Sequence, residues 1–153
     1  MDIINLKQWL ENSVTEVLES MCFLFPEAVA EPETSIAIEP NWLSSRLSFS
    51  GTPCGSFGLC APLICARAIA ANFLGEEMDD VNDAQAAEVI AEMANMVCGS
   101  LLGRYEPNRS FNLSSPTFGS MNPSQVIAPG YFSRVFALDE GVLHAWIEIG
   151  ISS

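Results

Sequence analysis

Apolar residues recur at three- and four-residue intervals through Leu6, Trp9, Leu10, Val14, Val17, Leu18 and Met21, the spacing that gathers side chains on one face of an α-helix. Asn5 and Gln8 form a capping-box pair ahead of this run, so a first helix is expected from about Leu6 to Met21. Pro26, Pro32 and Pro40 then interrupt any helix, and FPEAVAEPETS reads as a connection. Leu43 to Ser50 and Gly55 to Cys60 flank the turn-rich SGTPCG, which predicts an antiparallel hairpin, although the alternation through Leu43, Ser45, Leu47 and Phe49 is only partial. Pro62 suits the first turn of a second helix, LICARAIAANFL, and Gly75 suits its end.

A third helix is predicted from Asn82 to Tyr105, with Asn82 as cap and Gln85 three residues later. At about 100° per residue, Gln85, Glu88, Glu92, Asn95 and Gly99 form one stripe, opposite Ala87, Ile90, Ala94, Val97 and Leu101. Such a helix buries one face and offers the other. A segment rich in Pro, Ser, Asn and Gly follows, with a short strand near Asn112. Two strongly alternating runs, Tyr131 to Leu138 and Val142 to Ile151, then close the chain around the turn Asp139-Glu140-Gly141. Leu143, Ala145, Ile147, Ile149 and Ile151 are expected to face the core, and His144, Trp146 and Glu148 to face away. The sum is an α+β fold, an antiparallel sheet with long helices packed on one face, and residues 1–153 read as one domain.

Composition narrows the function. The chain is 49% apolar and 16% charged, which excludes disorder through low hydrophobicity, and no uninterrupted apolar run reaches the roughly 18 residues of a membrane span. MDIINLKQWL lacks the basic and apolar regions of a signal peptide, so a cytoplasmic location is expected. The net charge of −13 repels phosphate backbones and anionic membranes, so neither nucleic acid nor membrane insertion is expected. Cys22, Cys54, Cys60, Cys65 and Cys98 include no C-x-x-C pair, and His144 is the sole histidine. A structural metal is therefore not expected, and most of these thiols read as buried groups of a reducing compartment.

Common catalytic constellations are also missing. His144 lies in a patterned strand with no Asp or Ser beside it in sequence and reads as structural or exposed. GTPCGSFG lacks the Lys-Ser/Thr ending of a phosphate loop. Asp79, Asp80 and Asp83 lack the ordered ligands of a calcium loop and read as acids at a helix start. Glu92 and Asn95 remain. A carboxamide can accept a hydrogen bond from a water and donate another to a phosphoryl oxygen, holding the water for attack. A carboxylate one turn away can pair with a partner's lysine or arginine. Gly99 leaves room for another molecule's backbone to approach.

Glu88, three residues, Glu92, two residues and Asn95, followed by Gly99 and by Pro116 in NLSSP, resemble the motif of the chemotaxis aspartyl-phosphate phosphatases CheC, CheX and FliY, particularly the single-site CheX branch. The element order is also similar over nearly the whole chain. The family pattern opens with Asp or Ser where this chain has Glu88, and Pro116 arrives slightly early, after twenty intervening residues. Paired-site members carry a second motif on the first helix; here the matching Asn12, Glu16, Glu19 ends in glutamate. The resemblance implies a CheC/CheX-like fold and hydrolysis of the phospho-aspartate of a CheY-like response-regulator receiver. It assigns Glu92 to pairing with a receiver lysine, Asn95 to orienting the attacking water, and Glu88, Gly99 and Pro116 to docking. No cofactor is expected in this chain, since Mg²⁺ comes with the receiver. A homodimer through sheet edges is a further expectation. The alternative is a module that binds a receiver or flagellar-switch component through the same face without catalysis.

Overall fold

The computed structural model describes residues 3–29, 41–51, 54–105, 110–119 and 131–150. Helix α1 (Ile3–Cys22) leads to the short strand β1 (Glu27–Val29), then β2 (Trp42–Ser50) and β3 (Cys54–Pro62) form the first hairpin. Helix α2 (Leu63–Leu74), a single 3-10 turn (Met78–Asp80) and helix α3 (Asp83–Tyr105) follow. Strands β4 (Asn112–Leu113), β5 (Thr117–Gly119), β6 (Tyr131–Leu138) and β7 (Gly141–Gly150) complete the order.

All strands join one antiparallel sheet in the order β1-β6-β7-β3-β2-β4, with β5 also paired to β2. Leu47 lies opposite Phe57, and Phe57 opposite Ile147, so β3 is flanked on both sides at the centre of the sheet. Leu47, Phe57, Leu59, Phe136, Leu143, Ala145 and Ile147 bury against Leu10, Val14, Leu18, Ile69, Ile90, Met93 and Val97 of the three helices. The α+β architecture with long helices on one face of an antiparallel sheet therefore holds.

Several expectations are corrected. FPEAVAEPETS is not all connection, because Glu27–Val29 pairs with Val135–Ala137 as an edge strand; three residues are too few for alternation to register. Residues 30–40 lie outside the described residues. Asn5 does not cap α1, whose helical backbone already runs from Ile3, and the Gln8 amide instead donates to Asn12 Oδ1 at 3.1 Å. Strand β5 was not foreseen, whereas β4 matches the expected short strand. The closing strand starts at Gly141, and Ile151 lies outside the described residues.

The two faces of β7 differ from the expectation of one core face. His144 and Trp146 are each only 2% exposed, and with Trp42, Cys60 and Val135 they form a second buried group on the face away from the helices. The His144 ring meets Trp42 edge-on at 5.9 Å. The Arg46 guanidinium lies 5.5 Å from the centre of the Trp146 ring, and its Nη2 donates to Ser56 Oγ at 3.4 Å. Gly58 makes this possible: a Cβ there would sit 2.3 Å from the Trp146 ring. His144 is thus buried, and an exposed role for it is ruled out.

Candidate docking and catalytic face on helix α3

The entry to α3 is fixed by local chemistry. Gly75 ends α2 with φ of 70°, and the Glu76 N–H donates to the Ala71 carbonyl at 2.9 Å. The next turn is held by Arg67, whose Nε donates to the Val81 carbonyl and Nη2 to the Met78 carbonyl, both at 3.1 Å. Asn82 Oδ1 accepts from the Gln85 N–H at 2.8 Å, and Gln85 Oε1 accepts from the Asn82 N–H at 3.0 Å. This reciprocal capping box fixes where the helix starts, and the apolar face packed on the rest of the fold decides which residues face out.

Helix α3 is held along the other flank by α1, which runs antiparallel to it. Cys22 Sγ lies 3.8 Å from Met93 Sδ, Ser100 Oγ donates to Ser13 Oγ at 3.3 Å, and Trp9 meets Tyr105 edge-on at 5.7 Å. The inward side of α3 is buried through Ala86, Val89, Ile90, Met93, Ala94, Val97, Leu101 and Leu102. By length and composition this helix could also cross a membrane, but 56% of its apolar window is buried inside the fold.

Only a narrow strip is left outward. Glu88, Glu92 and Gly99 are exposed and Asn95 is half-buried, so the structure brings all four to one face as the stripe implies. At about 1.5 Å per residue, Glu92 and Asn95 are about 4.5 Å apart along the axis. Pro116 immediately precedes β5, and β5 lies against α3, so the proline segment is carried to the same helix. The strip continues to Gly103, which the sequence reading omitted although its four-residue spacing from Gly99 signals it. A Cβ at either glycine would meet nothing within 4 Å. Packing inside this chain therefore does not require them.

The corresponding stretch of α1 is engaged internally. Glu16 pairs with Arg104 of α3, and Asn12 accepts the Gln8 amide. Exposed Asp79, Asp80 and Asp83 lie at the N-terminal end of the strip, so with Glu88 and Glu92 they make that half of the face acidic, while the half from Asn95 to Gly103 carries no acid. Such a field attracts a cationic surface on a partner.

Neighbouring nucleophiles and bases are not positioned to act here. Burial pushes the Cys22 thiol up to about 11 and those of Cys60 and Cys98 up to about 12. Cys65 is likewise raised to about 12, by burial first and then by the Glu140 charge. His144 is on the far face of the sheet, with burial lowering it to about 4. Among the described residues no group of three or more His, Cys, Asp or Glu is placed to hold a metal ion. What the strip itself offers is a carboxylate to pair with a cation and a carboxamide to orient a small polar molecule.

A family model described as "Chemotaxis phosphatase CheX" matches residues 43–135. No curated protein matches the chain. Among solved structures, a chemotaxis protein CheX from Vibrio vulnificus superposes with a TM-score of 0.75 at 20% identity, covering 98% of this chain and 97% of that one. CheX in a CheX-CheY-BeF3-Mg²⁺ complex from Borrelia burgdorferi gives 0.69 at 19% identity, with 98% and 99% covered. FliY from Thermotoga maritima gives 0.62 at 10% identity, with 94% and 86% covered. At these identities the superpositions establish the shared fold.

Proposed function

Because the chain belongs to the CheX chemotaxis phosphatase family, we propose that it hydrolyses the phospho-aspartate of a CheY-like receiver domain through the outward strip of α3. The observation that carries this reading is that exposed Glu92 and half-buried Asn95 share the outward strip of a helix held along its α1 flank. The Borrelia CheX was crystallised in a complex with CheY, BeF3 and Mg²⁺, which supports a receiver as partner; in our reading the divalent ion comes with the receiver.

In the proposed complex, Glu92 forms a charge-assisted hydrogen bond to a receiver lysine and sets the register of approach. Asn95 enters the receiver's site, where its carboxamide oxygen accepts from the attacking water and its NH₂ donates to a phosphoryl oxygen. The water's oxygen forms the new bond to phosphorus, the bond to the aspartyl oxygen breaks, and that carboxylate leaves with the electron pair. The water's proton passes to the phosphate product. Asn95 supplies orientation and no proton, which is a substantial share of what a phosphoryl transfer needs from its surroundings. Glu88, Gly99 and Pro116 complete the docking surface.

A charge-swap cycle tests the docking half. Glu92→Lys is expected to lengthen the life of the phosphorylated receiver, and a receiver whose partner lysine is changed to glutamate should recover part of the loss only with the Glu92→Lys protein. Equal decay with wild type and Glu92→Lys would remove Glu92 from the interface. Binding without faster decay, for every receiver tried, would make the chain a docking module, a reading to which Glu88 in place of Asp or Ser lends some support.

A further inference from the structure

A second concave site lies away from the α3 strip. Leu24, Cys65, Ala68, Ile69, Asn72, Leu138, Asp139 and Glu140 enclose a cavity of about 140 Å³ between α2, the segment after α1 and the β6–β7 turn. Its floor is apolar, through Leu24, Ile69 and Leu138. Its rim carries two exposed carboxylates and a carboxamide, and Asp139, Glu140 and the Asn72 side chain make no hydrogen bond or ion pair among the described residues. Glu140 and Cys65 both line the cavity, and the Glu140 charge adds to burial in raising the Cys65 thiol.

The flank on the α1 side adds an apolar shoulder. Phe23 is 74% exposed and Phe25 is 78% exposed, on either side of Leu24. Phe23 has φ of 55°, a conformation that costs a non-glycine residue roughly 1–2 kcal/mol. Two phenyl rings held in solvent beside a small cavity form an exposed apolar patch, while the left-handed backbone of Phe23 serves to end α1, where the Leu24 N–H donates to the Leu18 carbonyl at 3.1 Å.

We propose that this cavity receives an arginine side chain, flanked by apolar residues, from a partner protein. The volume falls below the roughly 300 Å³ of ordinary small-molecule sites and suits the end of one side chain. The apolar floor can cover a methylene stem while the planar head, with five donors, reaches Asp139, Glu140 and Asn72. Lysine offers a compact, strongly hydrated head and fits a two-carboxylate rim less well. The phenyl shoulder calls for apolar neighbours on either side of the arginine, which a polypeptide has and a free amino acid lacks. A second copy of this chain is poorly supplied: among the described residues Arg46, Arg67, Arg104 and Arg134 are already engaged, and Arg109, outside them, sits between Asn108 and Ser110 and lacks apolar neighbours in sequence.

The test is a ¹⁵N-resolved NMR titration of the full chain with three probes: Ac-Leu-Arg-Leu amide, the same peptide with citrulline, and N-acetyl-arginine amide. Citrulline keeps the shape and removes the charge. The arginine peptide is expected to shift Leu24, Ala68, Asn72 and Glu140 and to bind at least tenfold more tightly than the citrulline peptide. Glu140→Gln, at an exposed turn, should weaken it several-fold without unfolding the chain. Equal binding of both peptides, shifts elsewhere, no saturable shifts, or an unaffected Glu140→Gln protein would each overturn the proposal. N-acetyl-arginine amide binding as tightly as the arginine peptide would overturn the protein partner in favour of a free guanidinium ligand.

Discussion

Replacing Gly99 by alanine separates what the fold needs from what a partner needs. Glycine within a helix is roughly 1 kcal/mol less favourable than alanine, and a Cβ at Gly99 meets nothing within 4 Å. The substitution should therefore stabilise the chain by about 1 kcal/mol, a rise in Tm of about 2–4 °C at this size. If a receiver's backbone approaches Gly99, the same methyl enters a close contact, where overpacking costs about 1–3 kcal/mol. At 1.4 kcal/mol per decade, kcat/KM for receiver dephosphorylation should fall about 5- to 150-fold. Gly103→Ala, about 6 Å further along the helix, supplies the same gain in helix propensity and should cost less activity. Thermal unfolding followed by circular dichroism, with phospho-receiver decay on the same samples, gives both readings. A Gly99→Ala protein that is stabilised yet fully active refutes the docking role. One that is destabilised refutes the open geometry on which the argument rests.

Other perturbations test the remainder of the structure. His144 takes up a proton near pH 4 when folded but near 6.5 in its ordinary state, so between these values the unfolded chain binds more protons and stability falls as pH descends through the window; the total is about 3 kcal/mol, and denaturant midpoints for His144→Leu should be flatter over this range than wild type. Gly58→Ala forces a methyl to within 2.3 Å of the Trp146 ring and should lower stability by about 1–3 kcal/mol, read as a reduced urea midpoint; an unchanged midpoint would mean the Trp146 stacking is loose. Phe23→Gly should relieve the left-handed strain, offset in part by glycine's greater freedom in the unfolded chain, for a net gain of up to about 1 kcal/mol; a loss would mean that the ring packs more than its 74% exposure allows.

Most of the elements could be read from periodicity because each carries its own local signal. Asn82 and Gln85 mark the start of α3, and the structure forms both hydrogen bonds of the box. Gly75 marks the end of α2 through its positive φ. Where the signal is short or shared, reading fails. Strand β1 has three residues, and β5 has three, so neither shows a period. Asn5 and Gln8 have cap chemistry at the right spacing, yet the helix starts earlier and Gln8 turns to Asn12. His144 and Trp146 were assigned outward by alternation, correctly as to face, but which residues bury that face depends on tertiary packing that a strand's own pattern does not encode. The candidate strip was legible as a stripe of Gln, Glu, Asn and Gly. Its extension to Gly103 and the engagement of Glu16 by Arg104 required the packed helices to be seen together.

The central claim rests on Asn95, whose proposed role is orientation and whose loss should leave docking largely intact. The direct measurement is the decay of the phosphorylated cognate receiver in the presence of Mg²⁺, with wild type or Asn95→Ala at concentrations that saturate a parallel binding curve. The account predicts that wild type shortens the receiver's lifetime and that Asn95→Ala binds with similar affinity but reduces the acceleration by at least 100-fold, of the order expected when positioning of a nucleophile is lost. Equal acceleration by both proteins would contradict it.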